Sequence, residues 1–134
     1  MQPELSQSSD APPRSAPVLC LDDEVLVAID VADALRDLGF EDVTTAFTVK
    51  GAREVLEAKP IAIAVLDVNL GHGETSFEIA RKVAAEGGAV VFASGYNASG
   101  LPEEFRDSPL VSKPIHEKLL ARALAQALAR CGGA

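Results

Sequence analysis

The chain has 134 residues, of which 48% are hydrophobic, and a formal net charge of −8 at pH 7. This length predicts one domain with a substantial core. The acidic balance argues against a nucleic-acid partner, since phosphate backbones attract basic patches. No apolar run approaches the roughly 18 residues that a membrane span needs, and the polar start is unlike a signal peptide. We therefore expect a cytoplasmic protein without membrane contact, in which Cys20 and Cys131 are reduced thiols.

The first third of the chain begins with a polar stretch and continues with a strand and a helix. Residues 1–16 are rich in Ser, Pro and Gln, which predicts a disordered tail before a domain over 17–131. "VLCL" is a short apolar run typical of a strand. Apolar residues at helical spacing follow, and Gly39 supplies a stop signal. Within this helix, Leu26 and Ile29 are expected to face the core.

The middle of the chain alternates strands with helices. β-Branched and apolar runs predict the strands, and Thr48 is a suitable N-cap for the helix that ends before Pro60. The predicted elements are a strand over 42–47, a helix over 49–58, a strand over 61–66, a helix over 74–87 and a strand over 89–94.

The last part of the chain is less regular. The segment 95–109 contains at most one short helix, beginning at Pro102. "LVS", residues 110–112, predicts a fifth strand. Residues 115–131 form an amphipathic stretch, and the final helix is predicted to contain it and to begin at Pro114.

Strands that are apolar throughout and alternate with helices predict a parallel sheet covered on both faces. The fold class is therefore α/β, a three-layer (βα)₅ sandwich with a central five-stranded parallel sheet. Binding sites in such sheets lie beyond the carboxyl ends of the strands.

Polar residues leave the predicted strands at that edge. Asp22 and Asp23 follow strand one, Asp67 ends strand three, Ser94 ends strand four, and Lys113 follows strand five. Each alone has a simpler interpretation as a helix cap, a turn residue or a surface charge. Together, three carboxylates would repel one another unless a cation lay between them, and oxygen ligands of this kind suit Mg²⁺.

This group of residues is suited to phosphoryl transfer. A carboxylate beside Mg²⁺ can attack a phosphoryl donor and form an aspartyl phosphate. Catalysis then consists mostly of positioning and charge compensation. Mg²⁺, the Lys113 ammonium and the Ser94 hydroxyl could each bind one phosphoryl oxygen.

At these positions the chain resembles the receiver domains of response regulators, which are CheY-like and have a flavodoxin-like (βα)₅ fold. The resemblance covers roughly residues 17–130. "LDDE" resembles the acidic pair after strand one, "VLDVN" the phosphoacceptor strand, "FAS" the hydroxyl after strand four, and "SKP" the lysine-proline pair after strand five.

The resemblance implies a role for each matching residue. Asp67 would accept the phosphoryl group and Asp23 would bind Mg²⁺ directly. Asp22 would bind the metal through water, and the main-chain carbonyl of Asn69 would be a further ligand. Ser94 and Lys113 would bind phosphoryl oxygens, and the bond between Lys113 and Pro114 is often cis in this family.

The chain departs from the common receiver pattern in two places. "NLGHGETSF" replaces the usual Pro-Gly after the acceptor, and its His72 could contact the phosphoryl group or a partner, although a solvated loop histidine is the simpler interpretation. Leu110 occupies the position of the usual switch aromatic, whereas Tyr96 follows Ser94. "FASGY" with its surroundings resembles the FAT GUY subgroup of receivers found in alphaproteobacterial signalling.

The resemblance implies a monomeric response regulator of two-component or phosphorelay signalling rather than an enzyme. A histidine kinase or a histidine phosphotransfer protein would be the donor, and the segment 95–109 would switch contacts with an unidentified protein. The chain ends soon after the final helix, so we expect a stand-alone receiver without an output domain.

Two alternatives stay open. A receiver-like interaction module could act without phosphorylation, because a fold alone proves no activity. An aspartyl-nucleophile phosphatase is disfavoured, since its acid-base carboxylate would occupy the position of Asn69, which cannot exchange a proton.

Overall fold

The structure is a computed structural model that describes residues 15–71, 73–95 and 101–132. Most of the predicted tail, His72 and Tyr96 lie outside these ranges, as does the side chain of Cys131. Ala16, at the end of the predicted tail, is buried against the core, so the packed domain begins at least one residue earlier than expected.

Five parallel strands form one sheet in the order β2-β1-β3-β4-β5, which confirms the predicted fold class. The central strand β3 pairs with β1, where Ile63 lies opposite Val18, and with β4, where Asp67 lies opposite Ala93. The strands are β1 (Val18–Leu21), β2 (Val43–Ala46), β3 (Ile63–Asp67), β4 (Ala89–Ser94) and β5 (Leu110–Ser112).

In the described part of the chain, four α-helices cover the two faces of the sheet. α1 and α4 contribute to the core on one face, and α2 and α3 to the core on the other. The helices are α1 (Val25–Asp37), α2 (Val49–Ala58), α3 (Phe77–Ala85) and α4 (Glu117–Gly132).

The apolar sequence of β3 follows from its central position. Ile63 and Val65 pack into the core beneath α1 and α4, whereas Ala64 and Leu66 pack into the core beneath α2 and α3. Successive side chains of a strand point to opposite faces, so a strand covered on both faces needs apolar residues throughout.

Between β4 and β5 the described chain forms one 3₁₀ turn, Glu103–Phe105, which directly follows Pro102 and agrees with the expectation of at most one short helix beginning there. Phe105 is buried and packs edge-on to Phe92 of β4, with ring centroids 5.3 Å apart. Arg81 of α3 forms an ion pair with Glu104 at 2.8 Å. A buried ring and an ion pair thus hold this turn against the sheet and α3.

The expectation that Leu26 and Ile29 face the core is wrong. Their exposed fractions are 76% and 43%. The buried face of α1 consists instead of Ala28, Val31, Ala32 and Leu35, which recur at the i, i+3, i+4 and i+7 spacing of one helical face. Leu26 and Ile29 lie beside this face rather than on it.

The final helix begins at Glu117, three residues after the predicted start at Pro114. The amide of Leu120 donates to the carbonyl of His116 at 2.9 Å, so helical hydrogen bonding begins at His116. None of the described helices combines the length and apolar character that crossing a bilayer requires.

Two hydroxyls at helix N-termini differ in their hydrogen bonds. The Thr48 hydroxyl accepts from the amide of Gly51 at 2.9 Å. The Ser76 hydroxyl, at the start of α3, is fully buried and has no partner in the described part of the chain.

We expect Thr48→Ala to lower the free energy of unfolding by about 1 kcal/mol. Ser76→Ala should not lower it, because no hydrogen bond is lost and a buried hydroxyl without a partner among the described residues is removed.

Urea denaturation followed by circular dichroism measures both variants against the unchanged protein. An equal loss in the two variants would show that the Ser76 hydroxyl makes a hydrogen bond of comparable value.

Candidate functional site

The carboxyl ends of four parallel strands bring the predicted site residues to one edge of the sheet. Asp67 is the last residue of β3 and Ser94 the last of β4, while Asp22 and Lys113 directly follow β1 and β5. Hydrogen bonding continues past the strands: the Lys113 amide donates to the Ser94 carbonyl at 2.9 Å. The strand register therefore fixes the backbone beneath the site.

An open pocket of about 410 Å³ lies at this edge. Asp22 is not among its lining residues and is buried. The pocket is lined by Asp23, Glu24, Asp67, Asn69, Ser94, Gly95 and Lys113.

Three carboxylates converge here. Asp22, Asp23 and Asp67 each offer an oxygen within 4.8 Å of the others. Asp22 and Asp67 are buried, whereas Asp23 is exposed. Such a concentration of negative charge requires compensation by a cation.

Lys113 is the cation that contacts this cluster. Its ammonium lies 2.7 Å from Oδ2 of Asp22 and 3.3 Å from Oδ1 of Asp67. The other oxygen of Asp22 accepts from the Glu24 amide at 2.9 Å. Both oxygens of Asp22 are therefore engaged, and Lys113 bridges the two buried acids.

The surroundings shift the pKa values of this group. Burial, followed by the charge of Asp22, raises the pKa of Asp67 from 3.8 to about 7, and Lys113 opposes this only in part. Burial disfavours the charge of Lys113, but its contacts with Asp22 and Asp67 outweigh burial and raise the pKa of Lys113. Near neutral pH, Asp67 is thus poised between its two protonation states, while Lys113 is charged.

The loop after β3 closes one side of the pocket. Asn69 lines the pocket and forms an antiparallel bridge with Thr75. The amide of Leu70 donates to the carbonyl of Glu74 at 3.0 Å, which closes the loop across its ends. The roles suggested for His72 and Tyr96 fall outside the described residues.

Two neighbours of the site were not anticipated. Glu24 contributes its amide to Asp22, an Asx-type turn that the Asp-Asp-Glu sequence could have indicated. Gly71 lies beside Asp23, and no sequence signal other than the glycine itself pointed to it. The Lys113–Pro114 bond is cis, as the family resemblance led us to expect.

The arrangement fits a small divalent cation. Hard carboxylate oxygens are the ligands that Mg²⁺ prefers. Asp23 and Asp67 both line the pocket and could bind a cation there, with Asn69 close by. Asp22, engaged at both oxygens, is better suited to indirect binding through water.

The raised pKa of Asp67 predicts a pH-dependent effect of Asp67→Asn. In the wild type, the contribution of Asp67 to the free energy of unfolding is fully present below pH 4, where the group is protonated. This contribution is lost as pH rises through 7, because burial disfavours ionisation of the carboxyl group in the folded state. Without metal, the variant should therefore gain stability relative to wild type as pH rises. The gain should reach on the order of 2 to 4 kcal/mol at pH 8, since each pKa unit is worth about 1.4 kcal/mol.

Urea denaturation in a chelator at pH 4, 6 and 8 measures this difference. Adding Mg²⁺ at pH 8 should shrink it, because a cation favours the ionised wild-type carboxylate. A difference independent of pH would mean that Asp67 ionises normally in the folded protein.

A scan against protein-family models finds no match, and no curated protein sequence matches. Solved structures, in contrast, include relatives with the same fold. The solution structure of SdrG from Sphingomonas melonis Fr1 is 38% identical, with a TM-score of 0.76, covering 87% of this chain and 98% of that one. The BeF₃-activated SdrG of Pseudomonas melonis Fr1 is also 38% identical, with a TM-score of 0.71, covering 84% of this chain and 95% of that one.

A response regulator receiver protein from Sinorhizobium medicae WSM419 is 26% identical, with a TM-score of 0.73, covering 87% of this chain and 97% of that one. These similarities extend over nearly the whole described domain and over nearly the whole of each relative. Together with the (βα)₅ sheet and the acidic edge, they show that this chain belongs to the receiver domains of response regulators in two-component signalling.

Proposed function

We propose that this receiver accepts a phosphoryl group on Asp67 from a phosphorylated histidine, in a reaction that requires Mg²⁺. The observation that supports this most directly is the pocket at the strand edge. It holds Asp67 beside a second carboxylate and a lysine and is open to solvent. An aspartate that served only as a helix cap or a turn residue would not need a neighbouring carboxylate and lysine.

The residues that would hold Mg²⁺ are Asp23, Asp67 and the main-chain carbonyl of Asn69, with Asp22 acting through water. When bound, Mg²⁺ would offset the charge of the carboxylates and of the phosphoryl oxygens. Asp22 suits the indirect role because Lys113 and the Glu24 amide engage both of its oxygens.

The chain's own residues perform the transfer. A carboxylate oxygen of Asp67 forms a bond to phosphorus while the donor's phosphorus–nitrogen bond breaks and the imidazole departs. Lys113 already contacts Asp67 at 3.3 Å and needs only a small displacement to pair with a phosphoryl oxygen. Ser94 lines the same pocket, where its hydroxyl would bind another phosphoryl oxygen.

Phosphorylation would change protein contacts through the segment that follows Ser94. Moving Lys113 toward the phosphoryl group would weaken its 2.7 Å contact with Asp22. Because the Lys113 amide is bonded to the Ser94 carbonyl, such a movement affects the ends of β4 and β5 together. A local charge change of this kind can shift the equilibrium between two arrangements of neighbouring backbone.

The finer family assignment rests on "FASGY". This motif and the 3₁₀ turn Glu103–Phe105, in the described part of the connection between β4 and β5, support membership of the FAT GUY subgroup, with Tyr96 as its switch aromatic. We place the protein in the cytoplasm as a monomer, where a histidine kinase or a phosphotransfer protein would act as donor.

Exposed apolar side chains beside the site suit contact with that donor. Val25, Leu26 and Ile29 follow shortly after Asp22 and Asp23 and are neighbours on α1, since residues three and four apart share a helical face. Their exposed fractions are 49%, 76% and 43%. Exposed apolar clusters mark interaction surfaces, and this α1 patch begins two residues after Asp23, which lines the pocket.

Incubation with acetyl phosphate and Mg²⁺ should add one phosphoryl mass to the intact chain. Asp67→Asn should abolish this gain because the attacking oxygen is lost, whereas Asp30→Asn, an exposed acid on α1, should retain it. Intact-mass spectrometry measures both. Label retained by Asp67→Asn would place the acceptor elsewhere. A wild type that takes no label from acetyl phosphate or from a histidine kinase would favour the interaction module that acts without phosphorylation.

Leu26→Glu should slow phosphotransfer from a histidine donor protein by about tenfold, equivalent to about 1.4 kcal/mol of lost interaction. The rate with acetyl phosphate should stay unchanged, because the pocket is intact. Leu119→Glu is the matched control, since Leu119 is an exposed leucine of α4. Radiolabel transfer measures each rate, and equal slowing by both substitutions would contradict a specific role of the α1 patch.

A further inference from the structure

The loop between β3 and α3 contains two glycines with the same backbone conformation and different surroundings. Gly71 has φ +80° and Gly73 has φ +78°. An L side chain is strained in this region, so replacing either glycine carries a similar backbone cost. Any difference between two such replacements must therefore come from what surrounds each position.

Gly71 faces an acid of the site, whereas Gly73 faces open space. A Cβ added at Gly71 would lie 3.2 Å from Oδ2 of Asp23, closer than ordinary van der Waals contact. A Cβ added at Gly73 would have no atom of the described residues within 4 Å. The bare Cα of Gly71 thus provides the space that the Asp23 carboxylate occupies.

Backbone hydrogen bonds restrain the loop near Gly71, so the short distance between Gly71 and Asp23 cannot widen freely. Its ends are joined by the bridge between Asn69 and Thr75, and the Glu74 amide donates to the Gly71 carbonyl at 2.9 Å. Gly71 cannot withdraw without disturbing these bonds. The exposed Asp23 side chain is therefore the group that would move if Gly71 carried a methyl group.

Displacing Asp23 affects the cation site directly. Its carboxylate is one of three whose oxygens lie within 4.8 Å of one another. Mg²⁺ accepts ligands only at about 2.0 to 2.1 Å in near-octahedral geometry, so shifts of a few tenths of an ångström reduce its affinity.

We propose that Gly71 is a positioning residue for Asp23, and that the loop after β3 thereby sets the affinity of the site for divalent cations. This inference rests on the proposed function, in that the acids bind Mg²⁺. Gly71 acts through Asp23 and contacts neither the phosphoryl group nor the metal.

The test compares Gly71→Ala with Gly73→Ala. In a chelator, both variants should unfold at lower urea concentrations than wild type because both carry the backbone strain. The Mg²⁺ dissociation constant, measured from the shift in melting temperature with metal concentration, should rise at least fivefold in Gly71→Ala. It should stay within twofold of wild type in Gly73→Ala. Equal dissociation constants in the two variants would overturn the proposal.

A double-mutant cycle gives a readout that needs no metal. Gly71→Ala should destabilise the metal-free protein more than Gly73→Ala, and Asp23→Ala should remove this excess because the crowded oxygen is gone. An excess that persists without Asp23 would contradict the contact. If an alanine variant does not fold, Gly71→Asn and Gly73→Asn replace the pair, since Asn tolerates positive φ better.

Failure of this inference is distinguishable from failure of the proposed function. A wild type that binds no Mg²⁺ and accepts no phosphoryl group would overturn both. A wild type that does both, with equal metal affinity in the two glycine variants, would overturn the positioning role alone.

Discussion

The bridge from Lys113 to Asp22 and Asp67 is the interaction on which the site depends. Two buried carboxyl groups at the end of apolar strands cannot both be ionised side by side without a cation. Lys113 provides it from the end of β5, at 2.7 and 3.3 Å. The topology makes this possible, because the carboxyl ends of β1, β3 and β5 reach the same edge of one parallel sheet.

Lys113 connects the charges of the site with the backbone at the ends of β4 and β5. Its ammonium is shared between Asp22 and Asp67, so the divalent cation and phosphoryl group that we propose for this site would redistribute its contacts. The backbone of Lys113 is bonded to Ser94, where β4 ends. Further along the chain, the buried ring of Phe105 and the ion pair of Arg81 with Glu104 hold the turn Glu103–Phe105 against β4 and α3.

Much of the architecture could be predicted, and the errors have identifiable causes. Continuous apolar strands and helical periodicity were enough to predict the sheet and its covering helices, because burial on two faces leaves a strong pattern. The same apolar criterion failed for Leu26 and Ile29. Periodicity shows that a helix has an apolar side, but when apolar residues surround the first turn it does not show which of them the sheet covers. The start of α4 was misplaced because Pro114 suits the first turn of a helix equally well without belonging to one.

The sequence by itself determined the fold class, the strand edge and the chemical types gathered there, since each follows from residue type and order along the chain. Only the tertiary structure decided how those groups contact one another: that Lys113 bridges Asp22 and Asp67, that the Glu24 amide donates to Asp22, and that Asp23 lies against Gly71. These contacts join residues from separate strands and loops. Their distances depend on strand register and loop closure, which act over the whole sheet and leave no local pattern in the chain.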